Sequence, residues 1–204
     1  MVKFRLHPLF LGIIILLVLT GNIAMYSIIF VSLLLHELGH IMVAMLLKVR
    51  IERCTLMPYG GQILLKDAHT VPYSKQLLIA CGGPLVTAIC FIYSGLLPEP
   101  FDKPFSEVQF VLLVINCIPL LPLDGGKIIC NSLLILFPKT KIYEAYVSIS
   151  FAFLTITAII TLVMLPQSIF LAVLSLLLWS EVIGEWRYRK YRSAFLKIVM
   201  KRLT

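Results

Sequence analysis

Charge is scarce in this sequence. Only 14% of its 204 residues are Asp, Glu, Lys or Arg, while 60% are hydrophobic. Soluble domains are roughly a quarter charged and about half apolar. The shortfall excludes a soluble globule and a disordered chain. Paired cysteines are missing too. Cys54, Cys81, Cys90, Cys117 and Cys130 are odd in number and form no CxxC. That excludes a disulfide-rich secreted scaffold and argues against a zinc–thiolate site, so they read as small buried hydrophobes. No small-residue cleavage site follows the first apolar run, so that run is not a signal peptide. There is no internal repeat and no low-complexity segment. What remains is a polytopic membrane protein.

A bilayer core of about 30 Å needs about 20 helical residues. Apolar segments at 8–21, 25–47, 76–97, 108–137, 143–165 and 168–184 give six candidate spans. The first begins as early as Phe4, and prolines interrupt the fourth. With the N-terminus in the cytoplasm, all but two of the 18 Lys and Arg residues fall on the inner side. Lys127 lies within the interrupted span, and Lys103 lies in the outer loop 98–107 beside Glu99, Asp102 and Glu107. Lys and Arg collect on the cytoplasmic side, so both termini are predicted there. The net charge of +8 is therefore a topology signal, and no nucleic-acid partner is expected.

Segment 49–67 departs from the helical pattern. Arg53–Met57 and Gln62–Leu65 flank Pro58-Tyr59-Gly60-Gly61, which predicts a β-hairpin turning on the glycine pair. The expected fold is an all-α polytopic membrane protein: a six-transmembrane-helix bundle with a small membrane-reentrant β-hairpin. Residues 1–185 form the membrane domain. Residues 186–204 form a basic juxtamembrane tail in which Trp186, Tyr188, Tyr191 and Phe195 alternate with Arg and Lys. Such a tail anchors on anionic lipid.

Ionisable residues inside apolar spans are expensive and default to functional roles. The strongest group is His36-Glu37-Leu38-Gly39-His40, within the second span. On a helix His36 and His40 share one face a turn apart, so two imidazoles can meet one Zn²⁺. Glu37 can then act as general base toward water. A polar helix–helix contact is the alternative reading. A catalytic zinc takes three protein ligands. Asp124 is the candidate third, as the lone acid of the fourth apolar segment, in Asn116-Cys117-Ile118-Pro119-Leu120-Leu121-Pro122-Leu123-Asp124-Gly125-Gly126. Pro119 and Pro122 break that helix, which is tolerated at membrane depth where the break lines a cavity. The alternative for Asp124 is a helix N-cap for the run from Lys127. His7 and His69 read as ordinary interfacial or loop residues, and Gly82-Gly83-Pro84 as a packing and helix-start feature. A transporter is disfavoured because the third, fifth and sixth spans lack the polar residues of a pathway.

Taken together, the HExxH helix and the Asn116–Gly125 motif resemble the two signatures of the site-2 proteases, the intramembrane zinc metalloproteases. Leu6-His7-Pro8, Arg50–Arg53 with Leu56–Gly61, and Gly82-Gly83-Pro84-Leu85 resemble that family's sporulation branch. The resemblance covers nearly the whole chain. It implies a metalloprotease domain with one zinc ion on His36, His40 and Asp124, and Glu37 activating water. It implies that Asn116 helps orient substrate and that Pro119 and Pro122 shape the cleft. It implies that the hairpin 51–65, with Gly60 and Gly61, pairs with an unwound substrate strand. The substrate would be a sigma-factor precursor, with membrane inhibitor or regulatory proteins as partners, in the mother-cell membrane around the forespore. A general site-2 protease cutting a transmembrane anti-sigma factor or remnant signal peptides is the alternative. A non-catalytic zinc scaffold is a third, against which the intact Glu37 argues. Members of the sporulation branch usually continue into a cytoplasmic CBS domain, whereas this sequence stops at Thr204.

Overall fold

A computed structural model of the chain describes residues 3–6, 23–57, 60–65 and 71–203. The first expected span, 8–21, lies outside the described residues, as do His7, Pro58, Tyr59 and His69. The described chain divides into two compact units, Met1–Ile118 and Pro119–Thr204.

The first unit opens with a short strand, β1 (Lys3–Leu6), so the expected helical start at Phe4 is not found. Helix α1 (Ile23–Leu46) follows; its 24 residues extend about 36 Å, enough to cross a bilayer. It stops in a tight C-terminal turn. Lys48 takes a left-handed φ of 55°, while Val49 N–H donates to Ala44 O at 2.9 Å and Lys48 N–H to Met45 O at 3.0 Å. These are the paired bonds that satisfy the last carbonyls of a helix. Lys75 Nζ, from the next helix, donates to Leu47 O at 3.2 Å.

Strands β2 (Ile51–Met57) and β3 (Gly60–Leu65) form the expected hairpin. They are antiparallel, with Met57 opposite Gly60 and Leu56 opposite Gly61. Gly60 and Gly61 are thus strand residues, because the paired ladder runs on to Gly60 opposite Met57. Strand β1 adds in parallel to β2, giving the order β1-β2-β3. A parallel pair needs a long crossover, and the chain between the two strands, which contains α1, supplies it.

Helix α2 (Tyr73–Tyr93) carries Pro84 in its interior and runs into a short 3₁₀ turn at Ser94–Leu96. Gly82-Gly83-Pro84 therefore sits in mid-helix and does not start one. Helix α3 (Asp102–Cys117) ends where Ile118 turns extended, at ψ 130°, as a residue before proline must.

The second unit begins at that break. Helix α4 (Asp124–Leu136) resumes after Pro119 and Pro122, so the interruption expected in 108–137 is present. Its freed backbone groups are taken up by helix α5 (Thr140–Val163). Tyr146 Oη donates to Pro119 O at 2.9 Å, and Leu121 N–H donates to Ser150 Oγ at 3.3 Å. Helix α6 (Ile169–Leu203) is continuous over 35 residues, about 52 Å. The expected membrane segment and basic tail are thus one helix, with no break near residue 185. Glu185, within this helix, accepts a 2.5 Å hydrogen bond from Tyr143 Oη.

Three stretches among the described residues are long and apolar enough to cross a membrane: Ile23–Leu46, Tyr73–Leu96 and Thr140–Val163. The proline break leaves α3 with 16 residues and α4 with 13, each short of a full span. Large apolar side chains such as Leu46, Ile92 and Val163 stand more than 70% exposed on these helices. Lipid, not water, suits that surface.

Candidate metal centre

Helices α1 and α2 meet backbone to backbone. A Cβ added to Gly82 would lie 2.6 Å from Gly39 O and 2.9 Å from a Val43 methyl, and one on Gly39 would meet Gly82 just as closely. Only glycine permits this approach, as is usual where membrane helices pack tightly. Gly39 is the small residue inside the HExxH sequence, so the contact centres on the motif itself. It brings Ile79, Gly83 and Thr87, one turn apart on α2, against His36 and His40, one turn apart on α1.

His36, Glu37 and His40 are buried at 1%, 3% and 6% exposure. Each imidazole is held at Nδ1. His40 Nδ1 lies 2.7 Å from Ile79 O. A carbonyl only accepts, so this nitrogen carries the proton and Nε2 presents its lone pair. Gly83 N lies 3.2 Å from the same Nδ1. That nitrogen's proton is committed to Ile79, so it has no lone pair to accept from Gly83 N–H and the approach is a close contact only. His36 Nδ1 lies 2.8 Å from Thr87 Oγ1, and Thr87 is 1% exposed.

With both Nδ1 atoms engaged, the two Nε2 atoms face each other at 3.2 Å, the rings set edge to face at 82°. Two nitrogens about 2.0–2.1 Å from one tetrahedral zinc stand about 3.3 Å apart. A Cβ on Gly83 would lie 2.6 Å from His36 Nε2 and closer still to His40 Nε2, so the absent side chain leaves the metal-facing nitrogens clear. One ligand atom each from His36, Glu37 and His40 all lie within 4.8 Å of one another. Two imidazoles and a carboxylate form a borderline-hard donor set suited to zinc. The residues fit the ion that the sequence implies.

The other expected site residues are placed as follows. Asn116, near the end of α3, is buried, and its Nδ2 donates to Leu112 O at 3.0 Å. Gly60 and Gly61 lie in β3. Pro119, Pro122 and Asp124 belong to the second unit. Asp124 is the first residue of α4 and is 4% exposed; Leu123 holds the N-cap position, so the capping alternative is not what the chain adopts. A carboxylate there is favoured by the helix dipole. Asp124 Oδ1 receives Lys127 Nζ at 2.9 Å. Gly126 packs on the backbone of the break, where a Cβ would lie 2.5 Å from Leu121 N.

Sequence reasoning missed Thr87, Ile79 and a second buried pair. Gln109 Nε2 on α3 donates to Ser32 Oγ at 3.1 Å, one turn before His36. The third span is not devoid of working polar groups, since Thr87 lies within it. Its signal was faint: one hydroxyl in an apolar run, four residues after Gly83.

Comparison with known proteins agrees with this geometry. The peptidase family M50 pattern matches residues 24–99, which hold both histidines and the glycine pair. The chain is 26% identical over 195 residues to stage IV sporulation protein FB of Bacillus subtilis, across 93% of this chain and 68% of that one. It is 34% identical over 114 residues to a zinc metalloprotease of Methanocaldococcus jannaschii, across 52% of this chain and 33% of that protein. A putative zinc metalloprotease of Synechocystis is 28% identical over 109 residues, 49% of this chain and 28% of that one. The chain thus matches about a third of the length of these last two. Its fold matches the site-2 protease from Methanocaldococcus jannaschii with a TM-score of 0.73 and 29% identity, over 90% of each chain. The apolar helices, the buried HExxH pair and these likenesses together mark the chain as an integral membrane protein similar to the site-2 protease family of metalloproteases.

Proposed function

We propose that this chain is a zinc endopeptidase that hydrolyses a peptide bond of a membrane-associated protein, and that its substrate is a sigma-factor precursor of the sporulation type. The observation that carries the reading is the pair of Nε2 atoms 3.2 Å apart, buried between two apolar helices with Glu37 beside them. His36 and His40 hold one zinc ion, and Asp124 is the third ligand. Zinc, when bound, polarises a carbonyl and acidifies water. Glu37 takes the proton of the attacking water and delivers it to the leaving amine. Asn116 orients the substrate, and the break at Pro119 and Pro122 shapes the cleft that admits it.

A helical substrate hides its carbonyls, so it must be extended before attack. Strand β3 is an edge of the sheet and carries Gly60 and Gly61 at its start. An edge strand can hold an extended peptide by backbone hydrogen bonds. This supports a substrate-pairing role for the hairpin, dipping into the membrane. Both termini are cytoplasmic, in the mother-cell membrane around the forespore. The basic end of α6 rests on anionic lipid, and membrane regulatory proteins restrain the enzyme. The likeness over most of the length of a sporulation protein favours this substrate over an anti-sigma factor.

The test is co-expression with a membrane-associated sigma-factor precursor, followed by size shift, comparing this chain with Glu37→Gln. Cleavage by the first and a fall of at least about 10²-fold in the second is expected. Equal cleavage by both would remove Glu37 as the base. Cleavage of a transmembrane anti-sigma factor in place of the precursor would transfer the activity to the general branch.

A further inference from the structure

Hydroxyls in an apolar helix ordinarily fold back on the carbonyl a turn earlier. Most among the described residues do so. Ser27 donates to Ile23 O at 2.9 Å, Ser132 to Ile128 O at 2.8 Å, Ser148 to Glu144 O at 2.7 Å, and Thr157 to Phe153 O at 3.0 Å. Thr87 departs from this rule. Its hydroxyl is 2.8 Å from His36 Nδ1, on another helix, and that is its hydrogen bond among the described residues. The residue is 1% exposed, so water does not supply a substitute.

The two imidazoles are thus held by different kinds of group. His40 Nδ1 faces the Ile79 carbonyl, which no side-chain substitution removes. His36 Nδ1 faces a hydroxyl that a single substitution deletes. When Oγ1 accepts the Nδ1 proton, the Nε2 lone pair is left for the metal and the ring is fixed in direction. Thr87 lies on the same face as Gly83, one turn away, so the helix that keeps the Nε2 side clear also holds the ring from its Nδ1 side.

We infer that Thr87 is a positioning residue for the metal: its hydroxyl holds His36 in the Nδ1–H tautomer and in the orientation that offers Nε2 as a ligand. This rests on the zinc-protease reading. Loss of such an outer partner typically lowers metal affinity about 10–100-fold.

The experiment uses the full chain purified in detergent. Zinc affinity is measured by chelator competition, and the ligand field by the visible spectrum of the Co²⁺ form. Thr87→Val is expected to weaken zinc binding about 10–100-fold and to shift the cobalt spectrum, with helix content unchanged. Thr87→Ser, which restores the hydroxyl, is expected to return both toward wild type. Thr157→Val, which removes a hydroxyl bonded to its own helix, is expected to change neither. If valine disturbs folding, Thr87→Ala serves in its place. Wild-type affinity in both the valine and alanine variants, or a serine variant as weak as valine, would overturn the inference. The zinc reading fails separately, if wild type binds no zinc or if His36→Ala binds as tightly as wild type.

Discussion

Two helix pairs in this protein are built from similar residues and do different work. In α1–α2, contact is made through Gly39 and Gly82, and the polar groups reach across to the histidines. In α5–α6, contact is made through aromatic rings. Phe151 stacks on Trp179 at 6.2 Å and on Trp186 at 4.7 Å, and Arg189 lies 4.1 Å over the Trp186 ring. Hydroxyls are common in the second pair, but Thr155, Thr157 and Thr161 bond their own helix. Trp179 Nε1 also donates to Thr155 Oγ1 at 2.9 Å, and Thr161 meets Ser175 Oγ at 3.0 Å. Those bonds fasten one helix to another. A hydroxyl aimed at an imidazole does something else: it sets which nitrogen is available. The number of polar groups in a helix is therefore a poorer guide to function than where their hydrogen bonds end.

Gly83→Ala should break the contrast most severely. The added methyl would sit 2.6 Å from His36 Nε2. Stoichiometric zinc should be lost, together with proteolysis, as read by metal analysis of the purified protein. Gly39→Ala comes next. It should push α1 from α2 and destabilise the fold by about 1–3 kcal/mol, visible as a lower unfolding temperature in detergent, with zinc loss following the unfolding. Trp186→Ala tests the second pair. Removing its stack on Phe151 should cost about 0.5–1.5 kcal/mol beyond lost burial, while zinc content stays at the wild-type level. Zinc loss in that variant would mean that the two pairs are not separable in function. Thr157→Ala should have the smallest effect, within about 0.5 kcal/mol, because its hydroxyl is exposed and bonded only to its own helix.

Much of the site was legible because its residues are out of place chemically. His36, Glu37 and His40 are expensive in an apolar run, and their spacing puts the histidines on one helical face. Asp124 stood out for the same reason, and the prolines before it predicted the break between α3 and α4. The hairpin was legible from its composition, but its turn was not. A glycine pair looks like a turn, yet Gly60 and Gly61 entered the strand because pairing with Met57 and Leu56 decided the register. The parallel strand β1 was illegible, since four residues beside an apolar run carry no sign of a partner some fifty residues on. The continuity of α6 was hidden by a change from apolar to basic composition, which alters the solvent of a helix without ending it.

The sequence by itself determined the solvent, the buried His36-Glu37-His40 group and the place where a membrane helix must break. Each follows from the cost of putting a residue type in lipid, and that cost is local. Only the tertiary structure decided what directs the histidines. Gly39 and Gly82 had to meet before Ile79 O and Thr87 Oγ1 could reach the two Nδ1 atoms, from positions 39 and 51 residues away in the chain. A carbonyl belongs to every residue and a threonine is unremarked in an apolar span. Their roles exist only where packing sets them 2.7–2.8 Å from an imidazole.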